Sequence, residues 1–107
     1  MNRGDIYWVS LDPTQGSEIN KQRPCVLVGA NAINKARHTV VVVPLSTSAK
    51  PRLPLNVSVK CLDKEVVVVC DQIRAVDKTR LKKFVGSLSL IELEAIDNGL
   101  KNLLSLD

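Results

Sequence analysis

Thr39-Val40-Val41-Val42-Val43-Pro44 decides the fold class of this chain. Five β-branched residues in a row are stiff at χ1 and suit a pleated, buried surface, so they specify a strand that the proline stops. Before it, Pro24-Cys25-Val26-Leu27-Val28 is a second buried strand, with Pro24 at its start and Arg23 at its mouth. After it, Glu65-Val66-Val67-Val68-Val69-Cys70 is a third. Shorter segments complete the set. Asp5 to Ser10 is a first strand, Asn56 to Lys60 alternates cleanly, Asp71 to Val76 resumes alternation, and Phe84-Val85-Gly86 is a last short strand.

The connections are as telling. Leu11-Asp12-Pro13-Thr14-Gln15-Gly16-Ser17-Glu18 is turn chemistry and predicts a long exposed loop. Leu45 to Pro54, holding Lys50, Pro51 and Arg52, predicts a basic loop, and Asn31 to Arg37 a short helix. The end of the chain differs in kind. Ser89-Leu90-Ile91-Glu92 is a capping box, and Leu93, Ile96, Leu100 and Leu103 follow three- and four-residue steps. That pattern predicts an amphipathic C-terminal helix. The expected fold is mainly β: one domain over residues 1–107, a small curled antiparallel barrel with a helix laid against it.

Composition narrows the function classes. With 107 residues and 45% apolar content the chain can bury one core. Its net charge is +4, and its acids are unevenly placed: none occurs between Glu18 and Asp63, a stretch holding Lys21, Arg23, Lys35, Arg37, Lys50, Arg52 and Lys60. A one-signed block of this kind is either a solvated face or the footprint of a polyanionic partner. Met1 to Asp5 has no apolar h-region, and no apolar run reaches membrane-span length, so a cytoplasmic protein without membrane association is expected. Cys25, Cys61 and Cys70 form no Cys-x-x-Cys pair, and His38 is the only histidine. No metal site and no cofactor are therefore expected, and Cys25 and Cys70 read as buried structural thiols.

What remains for chemistry is a set of cations and hydroxyls. Arg23 sits beside Pro24 at a strand edge, where its planar fork can grip two phosphate oxygens. Ser46 and Thr47 follow the next strand in order and could approach Arg23 across neighbouring strands. Asp71 stands where a strand emerges and could act as a base or as an acceptor for a nucleobase edge. RNA brings its own nucleophile in the 2′-OH, so such a site needs only proton transfer and stabilisation of the phosphorane. Phosphodiester chemistry and plain nucleic-acid binding both fit these residues.

At these motifs the chain resembles the MazF/PemK/Kid family of bacterial toxin ribonucleases over nearly its full length. The matching pieces are Arg3-Gly4-Asp5-Ile6-Tyr7, Leu11-Asp12-Pro13, Gly16-Ser17-Glu18, Arg23-Pro24, Val43-Pro44-Leu45-Ser46-Thr47, Cys70-Asp71-Gln72-Ile73-Arg74 and Asp77-Lys78. The resemblance implies an SH3-like barrel of the MazF/CcdB type, a homodimer, and metal-independent cleavage of single-stranded RNA to 2′,3′-cyclic phosphate and 5′-hydroxyl ends. It also implies a cognate antitoxin with an acidic, partly disordered C-terminal segment. By position, Arg23 matches the family's catalytic arginine, and Ser46 stands where a catalytic threonine is usual. Ser17, Glu18, Thr47, Asn56, Asp71 and Gln72 match substrate-binding positions. Val69 and Ser17 replace an arginine and a histidine used by the Kid branch, so that branch's acid–base assignment does not transfer to Asp71.

Two other classes compete. A CcdB-like gyrase poison would share the fold and act by protein binding, but it needs no phosphate site like Arg23 and Ser46. A non-catalytic RNA-binding barrel would want a stacking platform, and only Tyr7, Trp8 and Phe84 are aromatic.

Overall fold

The computed structural model describes all residues, 1–107. Seven strands, β1 (Asp5–Ser10), β2 (Gln22–Leu27), β3 (Thr39–Ser46), β4 (Asn56–Cys61), β5 (Lys64–Val69), β6 (Arg74–Asp77) and β7 (Leu81–Ser87), pair only antiparallel. Helix α1 (Asn31–Ala36) is short, and α2 (Leu90–Leu104) closes the chain. The order β4-β5-β3-β2-β1-β7, with β6 added to β3, curls into a barrel-like sheet. The predicted class, mainly β with a C-terminal helix, is what forms.

β3 is the hub. Thr39 to Val42 pair with β6, Val42 to Pro44 with β2, and Leu45 and Ser46 with β5. Its unbroken valine run follows from burial on both faces. Val43 and Leu45 enter one core with Val26, Val57, Val68 and Ile96, while Val40 and Val42 enter a second with Val9, Leu11, Cys25 and Leu27. The strand does not stop at Pro44, as the sequence suggested. Pro44 ends one ladder instead: Cys25 opposite Pro44 is the last β2–β3 pair, and Pro24 lies just beyond it. A residue without an N–H breaks no bond where a ladder ends. β3 then runs on to β5.

Other expectations move as well, and β7 runs from Leu81 to Ser87 where Phe84 to Gly86 was expected. β2 begins at Gln22, which puts Arg23 within the strand opposite Val9. Cys70–Gln72 is a single helical turn, so Asp71 sits on a turn between β5 and β6. Leu11, at the root of the predicted exposed loop, is fully buried at 0% exposure: its side chain fills the second core, while its N–H donates to the Lys21 carbonyl and its own carbonyl accepts from Arg74 Nη1.

α2 seats as its stripe predicts. Ser89 Oγ accepts the Glu92 N–H, Glu92 Oε1 accepts the Ser89 N–H, and Ile96 is fully buried. Gly99 explains the closeness of the fit: a Cβ there would lie 2.7 Å from the Pro54 carbonyl oxygen and 2.9 Å from Cys70 Sγ. An Arg3–Asp97 ion pair, with Arg3 Nε also donating to Val28 O, ties the helix to the start of the barrel. No helix is long and apolar enough to cross a membrane.

Candidate functional site

Where β2 and β3 part beyond Cys25 and Pro44, the sheet opens into a cleft of about 500 Å³. Arg23 lines it from β2, Ser46 from the end of β3, Thr47 from the residue after. Arg23 and Ser46 each lie two residues past that last pair, at matching heights on diverging strands. Ser17 and Glu18 form a further wall. The sequence expected this set, and the fold brings it together.

The arginines divide by what they touch. Arg3 pairs with Asp97, Arg74 donates to Leu11 O, and Arg80 donates to the Ser10 and Asp12 carbonyls. Arg23, like Arg37 and Arg52, makes neither an ion pair nor a side-chain hydrogen bond, and of these three it is the one that lines the cleft, where it is exposed. An unpartnered guanidinium on an open wall is free for an anion.

The hydroxyls differ as well. Ser46 Oγ accepts the N–H groups of Ser48 at 3.2 Å and Ala49 at 3.0 Å, and lies 3.2 Å from Ser48 Oγ. It therefore shapes the turn that follows β3, and either hydroxyl of the Ser46–Ser48 pair can be the donor between them. Thr47 makes no internal side-chain hydrogen bond, so its hydroxyl is available to solvent or ligand.

A second cleft, of about 340 Å³, lies on the other side of the Ser17–Ile19 segment. Asp71 and Gln72 line it with Arg74, and Ser17 and Glu18 face both clefts. Asp71 is thus placed next door to Arg23 and Ser46, across the shared wall. Asn56 lines neither cleft. Its Nδ2 donates to Lys50 O at 3.0 Å, and its backbone pairs with Arg52, so it shapes the basic loop.

Sequence reasoning missed Trp8, Ile19, Leu62 and Lys64, which line the first cleft, and Arg74 in the second. Trp8 stands opposite Pro24, so the strand register that sets Arg23 also brings Trp8 to the cleft. Lys64 extends the basic lining beyond the acid-free stretch. Only strand pairing reveals either.

The thiols are not reactive groups. Burial pushes Cys25 up to about 12, against a smaller opposing pull from Arg74, and Cys70 up to about 11, with Asp71 adding to the rise. Cys61, on the cleft floor, is raised by burial too. All three are buried and unpaired. No group of three or more His, Cys, Asp or Glu side chains converges to form a metal-ligand set.

Comparison with known proteins bears on the family and the fold. A family model described as the PemK-like, MazF-like toxin of type II toxin–antitoxin systems matches residues 2–104. Endoribonuclease MazF of Staphylococcus epidermidis is 36% identical over 105 residues, covering 94% of this chain and 88% of that protein. A mycobacterial endoribonuclease solved with its cognate antitoxin superposes with a TM-score of 0.84 at 25% identity, covering 100% of this chain and 97% of the other. MazF from Deinococcus radiodurans shares the fold with a TM-score of 0.87 at 23% identity, over 99% of this chain and 97% of its own.

Proposed function

Since the chain belongs to the PemK-like, MazF-like family of type II toxin–antitoxin toxins, we propose that it is an endoribonuclease that cuts single-stranded RNA, mRNA included, without a metal ion. The carrying observation is the unpartnered Arg23 guanidinium in one cleft with the Ser46 and Thr47 hydroxyls. The RNA 2′-oxygen attacks the adjacent phosphorus, the bond to the 5′-oxygen breaks, and the proton lost from the 2′-OH is made up at the departing 5′-oxygen. The products are a 2′,3′-cyclic phosphate and a 5′-hydroxyl. Arg23 stabilises the charge that builds on the non-bridging oxygens, and Ser46 donates its hydroxyl proton there. Ser17, Glu18, Thr47, Asp71 and Gln72 flank the strand of RNA across the two clefts, and Asn56 supports it through the basic loop.

A cognate antitoxin with an acidic, partly disordered tail fits the same basic surface; the mycobacterial relative was solved in complex with its cognate antitoxin. A homodimer would double the cationic channel. Unpaired buried thiols suit a cytoplasmic setting. A CcdB-like gyrase poison is not favoured, because the relatives at 36% and 25% identity are named endoribonucleases.

Incubation with a long defined RNA in excess EDTA tests the proposal. Discrete fragments with cyclic phosphate ends are expected, and hydrogen in place of the 2′-OH at the cut nucleotide should block cleavage but not binding. Activity lost in EDTA and restored by magnesium, or 5′-phosphate ends, would refute the mechanism.

A further inference from the structure

The Ser17–Ile19 segment is the wall between the two clefts, yet the barrel holds it at few points. Within residues 14–20, the bonds from the Gln15 N–H to Glu18 Oε1 and from the Glu18 N–H to Gln15 O stay inside the loop. Two others leave it, and both end on Gln72. The Ile19 N–H donates to Gln72 Oε1 at 2.9 Å, and Gln72 Nε2 donates to Ser17 O at 3.1 Å. One side-chain amide thus meets the loop backbone as a neighbouring strand would, across 53 and 55 residues of sequence. The Ile19 side chain adds packing against the second core. The loop root is fixed separately, by Arg80 and Arg74 on the carbonyls of Ser10, Leu11 and Asp12.

We infer that Gln72 is a positioning residue: its amide clamps the Ser17–Ile19 wall and thereby sets how RNA is registered across the two clefts. This rests on the ribonuclease reading above. Gln72 stands in the turn that also bears Asp71, so the clamp couples the β5–β6 turn to the wall that faces Arg23. A wall free to shift would alter which bases flank the phosphate held at Arg23. Recognition should suffer before chemistry does.

Hydrogen exchange at the Ile19 amide reads the clamp without any RNA. Gln72→Ala should speed it roughly tenfold or more. On defined single-stranded RNA, Gln72→Ala should lower kcat/KM about tenfold, mainly through KM, and add new cut sites. Thermal melts beside wild type separate this from loss of fold, and the volume-matched Gln72→Met replaces the alanine variant should that one melt early. Unchanged exchange at Ile19 in the alanine or methionine variant overturns the clamp. Lost protection with unchanged KM and cut sites overturns its role in registration. Wild-type protein that leaves RNA intact would refute the ribonuclease reading, and the exchange measurement would still decide the clamp.

Discussion

Ser46 Oγ accepts the backbone N–H of Ala49 at 3.0 Å, closing the turn that carries β3 into the basic loop. The side chain therefore has two functions, one in the turn and one in the cleft. Ser46→Thr can keep both, whereas Ser46→Ala leaves the Ser48 and Ala49 amides without their acceptor and removes the donor to phosphate. Ser46→Ala should slow single-turnover cleavage by about one to two powers of ten, with Thr47→Ala milder and Ser46→Thr close to wild type. The opposite ranking of Ser46→Ala and Thr47→Ala would move the assignment by one residue.

Arg23 is tested by charge and by shape. Arg23→Ala should cost about two to three powers of ten in rate with little change in melting temperature, because the side chain makes no internal bond. Arg23→Lys should also be poor, since a point charge cannot reproduce the guanidinium fork. Near-full activity in the lysine variant would rule out a bidentate phosphate contact.

Gly99 tests the seating of α2. Alanine in a helix interior ordinarily gains about 1 kcal/mol over glycine. Here its Cβ would meet the Pro54 carbonyl at 2.7 Å, a backbone atom with little freedom to yield. Gly99→Ala should therefore lower stability by roughly 1–3 kcal/mol in denaturant titration. A stabilised variant would mean that the helix rides further from the barrel.

Glu92 gives stability a pH dependence. Its carboxylate is held below the ordinary glutamate range, first by the Lys60 N–H at 2.9 Å and then by Ser89. A depressed folded-state value stabilises the protein above the unfolded value, and that contribution fades as pH falls through the folded one. Glu92→Gln should be less stable at pH 7 by about 0.5–1 kcal/mol, a figure kept small because the group is largely solvent-screened. Melts repeated at falling pH should show the gap closing below pH 4.5. A gap independent of pH would assign the effect to shape alone.

Much was legible in local pattern. The valine runs at Val40–Val43 and Val66–Val69 could only be buried strands, and Ser89 with Glu92 announced the helix three residues at a time. Pro44 misled for a definite reason. A proline's missing N–H says that a ladder ends, but the sequence does not say which of two ladders, and β3 had a second partner in β5. Leu11 misled likewise. Its turn-forming neighbours set the local backbone, while burial was decided by the second core, built with residues distant in sequence such as Val40, Val42 and Val76.

By itself the sequence determined the strands, the capped helix, the acid-free stretch and the residue types able to handle a phosphate, because propensity, capping and charge act over a few neighbouring positions. Tertiary structure alone decided that Arg23 and Ser46 share a cleft, that Asp71 lies across a wall from them, and that Gln72 holds that wall. Those relations depend on the point at which β3 leaves β2 for β5. That divergence is a matter of strand partners and long-range hydrogen bonds, and no local periodicity encodes it.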